Sequence, residues 1–123
     1  MFNLIAVAGG GALGSLLRHL LFLLVQRPTS GFPYGTLAAN LLGCLGIGFL
    51  WYFFADQRLQ QEWRLFLFTG LLGGFTTLST FSRESIDLMR VGEWKSAALY
   101  VGVTNVLGLL LVFAGMLLAR RLL

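Results

Sequence analysis

Residues Gly70 to Ser85 read GLLGGFTTLSTFSRES. Apolar sequence lies on both sides, so the stretch is expected at membrane depth. It nevertheless carries a Gly-Gly pair, then five Ser/Thr hydroxyls between Thr76 and Ser82, then Arg83 and Glu84. Hydrocarbon tolerates such a mixture only where neighbouring protein or a water-filled path satisfies the polar groups. A polar, glycine-broken segment within an apolar helix points to an ion or substrate site.

Working outward, the whole chain has membrane composition. Of 123 residues, 57% are hydrophobic and 11% charged, with a mean hydropathy of +0.81. Soluble domains carry roughly 25% charged residues, so this chain lacks the charge to cover a water-facing surface. The expectation is an all-α membrane protein of one domain, residues 1–123, without a soluble appendage. Met1 leads directly into the first apolar run, so no separate signal peptide is expected. Cys44 is the single cysteine and sits in an apolar run, which suits a small packing residue.

A crossing needs about 20 apolar residues, and four such runs are visible: about 2–25, 34–55, 65–89 and 97–119. The third is broken in mid-membrane. Connectors are expected at 26–33, which holds both prolines, at 56–64, and at 90–96. Trp51, Tyr52, Trp63 and Trp94 fall near span ends, as interfacial aromatics do.

Four crossings put both termini on one side, with Arg58, Arg64, Arg120 and Arg121. The other side has Arg27, Arg90 and Lys95, joined by the deeper Arg18 and Arg83. The positive-inside rule finds no clear bias in this distribution. One reading is insertion in both orientations, with pairing to an inverted copy; the other is a weakly biased chain oriented by one dominant loop.

Small residues recur at i+4: Ala6, Gly10 and Gly14 ahead of Arg18, then Gly35, Ala39 and Gly43, then Gly70 and Gly74. Such faces let helix backbones approach closely in lipid. Several polar residues also lie within the spans. Arg18 either snorkels to the interface or lines an aqueous vestibule that concentrates anions. Asn40, with Thr36 on its face, is either interhelical glue or an NH2 donor to a passing anion. His19 falls near the first interface. Tyr100 and Thr104 share a face of the fourth span, and Asn105 lies on an adjacent one.

Breaking the third helix frees carbonyls at the end of its first half and amides at the start of its second. Carbonyls favour a cation and amides an anion. Two copies meeting at the break could enclose a small alkali ion in oxygen ligands. Thr76, Thr77, Ser79, Thr80 and Ser82 offer hydroxyls. The ring edge of Phe81 carries partial positive charge that suits an anion in the ring plane.

GGFTTLSTFSRE, Gly73 to Glu84, closely resembles the GG-x-TTFSTFS-x-E signature of the Fluc (CrcB) fluoride channels. GGALGSLLRH, Gly10 to His19, resembles that family's Gly-rich first helix ending in Arg. GTLAANLLGC, Gly35 to Cys44, is similar to its second-helix GT-x3-N-x2-G element, and Tyr100 matches its fourth-helix tyrosine. The resemblance implies a dual-topology antiparallel homodimer in a bacterial-type plasma membrane, with two passive, fluoride-selective pores that export cytoplasmic fluoride. It implies that carbonyls of Gly73 and Thr76 from both subunits hold a structural sodium ion. Asn40, Leu78, Ser79, Thr80 and Phe81 would line the anion path, Tyr100 and Thr104 would lie further along it, and Arg18 would serve the vestibule. Glu84 matches an acidic position of the pattern. Leu78 departs from it, standing where the family has a first phenylalanine. This keeps open a non-conducting or heteromeric subunit.

Other classes fit less well. A small multidrug exporter needs a carboxylate in its first span, and residues 2–25 contain no Asp or Glu. A proton-coupled fluoride exporter would have to use Glu84. With no nucleotide-binding loop, metal-ligand cluster or catalytic triad in the sequence, an enzyme is not expected, and nor is a nucleic-acid partner.

Overall fold

A computed structural model describes residues 1–29, 31–55 and 60–122. Arg58, counted above on the terminal side, lies outside the described residues with the rest of 56–59. The chain is all-helical: α1 (Phe2–Val25), α2 (Tyr34–Ala55), α3 (Gln61–Arg64), a π-helical segment (Leu65–Leu72), α4 (Gly73–Phe75), α5 (Leu78–Arg90) and α6 (Trp94–Leu122). Four helical stretches are long and apolar enough to cross a bilayer, the third being the composite Gln61–Arg90. The 24 residues of α1 extend about 36 Å at about 1.5 Å per residue, enough for a hydrocarbon core of about 30 Å.

The ends of the helices are set by local chemistry. Gln26 stops α1 with its amide on the Phe22 carbonyl (2.8 Å). Its side chain then spans the connector. Nε2 donates to the Phe32 carbonyl (3.0 Å), and Oε1 accepts from the Gly35 amide (2.9 Å) in the first turn of α2. At the other turn, Gly92 adopts φ 85°. Its amide bonds the Met89 carbonyl (3.1 Å) and the Glu93 amide bonds the Leu88 carbonyl (2.8 Å), which is the Schellman arrangement that closes α5.

This turn is shorter than the polar composition of 90–96 predicts, because α6 begins at Trp94. It also runs three residues past Ala119, to Leu122. The helix continues into polar sequence at both ends: Arg120 and Arg121 occupy its last turn, where cations are favoured by the helix dipole. The third span likewise starts at Gln61, four residues before the apolar run.

Packing is by glycine. α1 lies along the π segment and α4, and α2 lies along α6. Gly10, Gly14 and Gly70 are buried at the first contact. A methyl group on Gly70 would stand 2.8 Å from the Gly10 Cα, and one on Gly74 would stand 2.6 Å from the Gly11 carbonyl oxygen. At the second contact, a methyl on Gly48 would strike the Val112 carbonyl and one on Gly115 the Leu45 carbonyl. Large apolar side chains such as Leu4, Leu24, Leu109 and Phe113 remain exposed, as expected for surfaces that meet lipid or another membrane chain. The buried apolar cluster is small, formed by Leu88, Ala97 and Tyr100, with Phe32, Leu37, Phe81 and Met89 packed on it.

Candidate ion pathway

The dihedrals that interrupt the third span fall on Thr76 (φ −92°, ψ 157°) and Thr77 (φ −152°, ψ 119°). They do not fall on the Gly-Gly pair. Gly73 is helical (φ −62°, ψ −39°), and Gly73–Phe75 is a helical turn. Gly74 serves close packing against α1, whereas a methyl on Gly73 would meet only the Phe68 carbonyl oxygen, at 3.7 Å. The interruption itself is held by side chains.

Asn40 of α2 supplies the principal hold. Its Oδ1 accepts the Thr77 amide at 2.8 Å, and its Nδ2 donates to the Thr77 carbonyl at 3.0 Å. One carboxamide thus satisfies both backbone groups of an extended residue. Gly43, one turn along α2, explains the N-x2-G spacing: a methyl there would strike Thr76 Cγ2, so glycine lets α2 come close enough for Asn40 to reach. Thr77 caps α5, its Oγ1 accepting the Thr80 amide at 3.2 Å. The Thr76 hydroxyl folds back onto the Leu72 carbonyl at 2.9 Å.

Two hollows flank this point. One, of about 440 Å³, is lined by Asn40, Gly73, Thr76, Leu78, Phe81 and Thr104 among others. The other, of about 330 Å³, is lined by Ser15, Arg18, His19, Thr36, Thr80, Arg83 and Glu84 among others. Thr77 borders both. The first gathers most residues that the sequence nominates for the anion path and the cation site. The second unites Arg18 with Thr80. Cations outnumber the one carboxylate around it, a distribution that attracts anions. Arg83 also pairs with Asp87 at 2.8 Å on an exposed helix face.

Ser79 lies apart from both hollows, exposed, with its hydroxyl 3.5 Å from Thr77 Oγ1. Leu78 beside it is 75% exposed. Tyr100 is fully buried and borders neither hollow. Its ring centroid lies 5.0 Å from that of Phe81, tilted, and 5.6 Å from that of Phe32, edge-on, and its hydroxyl donates to Glu84 Oε1 at 3.3 Å. Glu84, to which the sequence assigns no role, is therefore the partner of Tyr100 and a wall of the cationic hollow. Thr104 Oγ1 is buried without a hydrogen-bond partner. A buried hydroxyl in that state is uncommon, and here it lines the larger hollow.

The sequence does not single out Thr36 as a site residue. It is buried and lines the smaller hollow beside Glu84; its signal was its place four residues before Asn40. Among the described residues no cluster of His, Cys, Asp and Glu forms a metal site, so any cation here would rely on backbone and hydroxyl oxygens.

Apolar helices around a capped interruption, with hydroxyls, a carboxamide and cations at its sides, define a multi-pass integral membrane protein. The sequence profile of the family described as "CrcB-like protein, Camphor Resistance (CrcB)" matches residues 5–116. The chain belongs to this family. A fluoride-specific ion channel FluC of Desulfotalea psychrophila is 46% identical over 123 residues, covering 100% of this chain and 96% of the relative. Those of Nitratidesulfovibrio vulgaris (45% over 118 residues, 94% and 95% covered) and Salinibacter ruber (47% over 118 residues, 94% and 87% covered) are similar. The family is one of ion channels, not of enzymes.

Proposed function

We propose that this chain is a passive fluoride channel, working as an antiparallel homodimer in the plasma membrane with two pores that export cytoplasmic fluoride. The observation that carries the reading is the end-to-end match, at about 45% identity, to fluoride-specific channels, together with the gathering of the nominated residues around the interruption.

Fluoride is small and strongly hydrated, so hydrocarbon excludes it unless donors replace its water. Asn40 Nδ2 carries two hydrogens, and one is used on Thr77; the second is available to an anion. The hydroxyls of Ser79, Thr80 and Thr104 and the edge of Phe81 complete a set of donors without a fixed cation at its centre, which lets the ion leave as readily as it enters. Arg18 raises anion concentration at the mouth, where Glu84 walls the same hollow with Tyr100 buried behind it. An inside-negative potential drives the anion outward with about 2.3 kcal/mol per 100 mV, and no coupling site is needed.

The exposure of Leu78 and Ser79 supports a second copy covering the interruption. The sodium ion fits the residues present. The Thr77 amide is on Asn40 rather than Gly73, and the Thr80 amide is on Thr77 Oγ1 rather than Thr76. The Gly73 and Thr76 carbonyls thereby lose their i+4 donors and are free as hard oxygen ligands. A bound sodium ion would supply the positive charge that lets carbonyl dipoles from two copies converge.

A second reading, a subunit that conducts only beside a different partner, is favoured by Leu78, which has no polarised ring edge. Fluoride efflux from liposomes containing only this chain, with chloride as control, tests both. Rapid valinomycin-dependent release of fluoride without chloride supports the homodimeric channel. No release from a folded dimer supports the heteromeric subunit, and release that requires a proton gradient rather than a potential would indicate a coupled exporter.

A further inference from the structure

Of the carbonyls freed at a helix interruption, those of Gly73 and Thr76 differ from their neighbours. Their helical donors are not merely turned away; each has been captured. Asn40 Oδ1 holds the Thr77 amide at 2.8 Å, and Thr77 Oγ1 holds the Thr80 amide at 3.2 Å. Without these acceptors, each amide would be an unsatisfied donor in a low-dielectric setting. Its nearest remedy would be the carbonyl four residues back, which regularises the helix and consumes that oxygen.

We propose that Asn40 and Thr77 are positioning residues for the cation site, a two-part latch that keeps the Gly73 and Thr76 carbonyls available. Asn40 thereby has two separable duties. Its oxygen captures the Thr77 amide for the cation site, while one hydrogen of its NH2 group braces the Thr77 carbonyl at 3.0 Å and the other serves the anion route. Thr77, which borders both hollows, belongs to the cation site through its hydroxyl. This rests on the sodium reading above, and it adds that sodium affinity is set by two side chains that do not touch the ion.

The test is sodium-dependent thermal stability of the purified dimer, with choline replacing sodium, read beside fluoride efflux. Wild type gains stability saturably with sodium, as any ligand of the folded state requires. Thr77→Val, close in shape but without the acceptor, raises the half-saturating sodium concentration about tenfold, and Thr77→Ser restores it. Asn40→Ala raises it by a similar factor. Asn40→Asp keeps an acceptor for the Thr77 amide but loses the NH2 donor to the Thr77 carbonyl and to the anion, so its sodium response stays stronger than that of Asn40→Ala while fluoride efflux collapses.

Wild-type half-saturation in both Thr77→Val and Asn40→Ala overturns the latch. If Thr77→Val does not fold, the contrast between Asn40→Ala and Asn40→Asp decides, and equal sodium responses in that pair overturn it. A wild-type dimer that conducts fluoride but ignores sodium overturns the sodium reading and this inference with it. A sodium response in a dimer that conducts no fluoride removes the fluoride reading and leaves the latch standing.

Discussion

Gly70→Ala should separate α1 from the third span. The added methyl would stand 2.8 Å from the Gly10 Cα, 2.9 Å from the Val7 carbonyl oxygen and 3.0 Å from the Gly11 amide nitrogen. Carbon atoms rest at about 3.5 Å or more, so the helices must part by about 0.7 Å. Every neighbour is backbone, and no rotamer change can relieve the contact. Overpacking of this kind costs about 1–3 kcal/mol, and the rigid surroundings place this site near 2 kcal/mol, about a thirtyfold shift in the unfolding equilibrium. Gly102→Ala is the control: nothing lies within 4 Å of the added methyl, and alanine is the better helix former. Equilibrium unfolding of the purified protein in mixed detergent micelles reads both. A Gly70→Ala protein as stable as wild type would refute glycine-mediated backbone contact as what holds α1 in place.

Other outcomes follow from the same geometry. Phe81→Ile removes the ring edge beside Asn40, and liposome efflux should fall at least tenfold with the dimer intact by size-exclusion chromatography. Leu78→Phe supplies the ring that this chain lacks; if the wild-type homodimer conducts, this variant should conduct at least as well in the same assay. Tyr100→Phe removes the donor to Glu84 at 3.3 Å and should lower stability by about 1 kcal/mol, measured by the same unfolding. Gly92→Ala places a side chain at φ 85° and should cost about 1 kcal/mol, while efflux at low temperature is retained.

The helical architecture was legible because its cause is composition. Four apolar runs cannot remain in water, and their lengths match a bilayer. Their ends were less legible: α6 begins at Trp94 and not Ala97 because polarity marks where a helix leaves hydrocarbon, not where its hydrogen bonds stop. The π-helical turns at Leu65–Leu72 have no compositional signal, since apart from Thr69 and Gly70 the run is of large apolar residues like those of the regular helices. In the candidate site, residue types were readable but their partners were not. Ser/Thr density announced that something polar happens near Thr76, whereas the reach of Asn40 to Thr77 spans 37 positions and depends on how closely Gly43 brings α2. Glycine also misled locally. The Gly73–Gly74 pair looks like the breaker, yet it stays helical and the neighbouring threonines depart: the Thr76 amide still bonds the Leu72 carbonyl, whereas the Thr77 amide is taken by Asn40.

The turn at Gln26 has a consequence for insertion. On the proposed antiparallel pairing, each connector would meet the reducing, crowded interior in one copy and the exterior in the other. A loop held by salt bridges would respond to whichever ionic milieu it met. Among the described connectors, a neutral carboxamide braces the one before α2 at 2.9 and 3.0 Å, and backbone bonds close the one before α6 at Gly92. Such turns carry their own fastenings, and their shape is indifferent to the side of the membrane on which they are delivered.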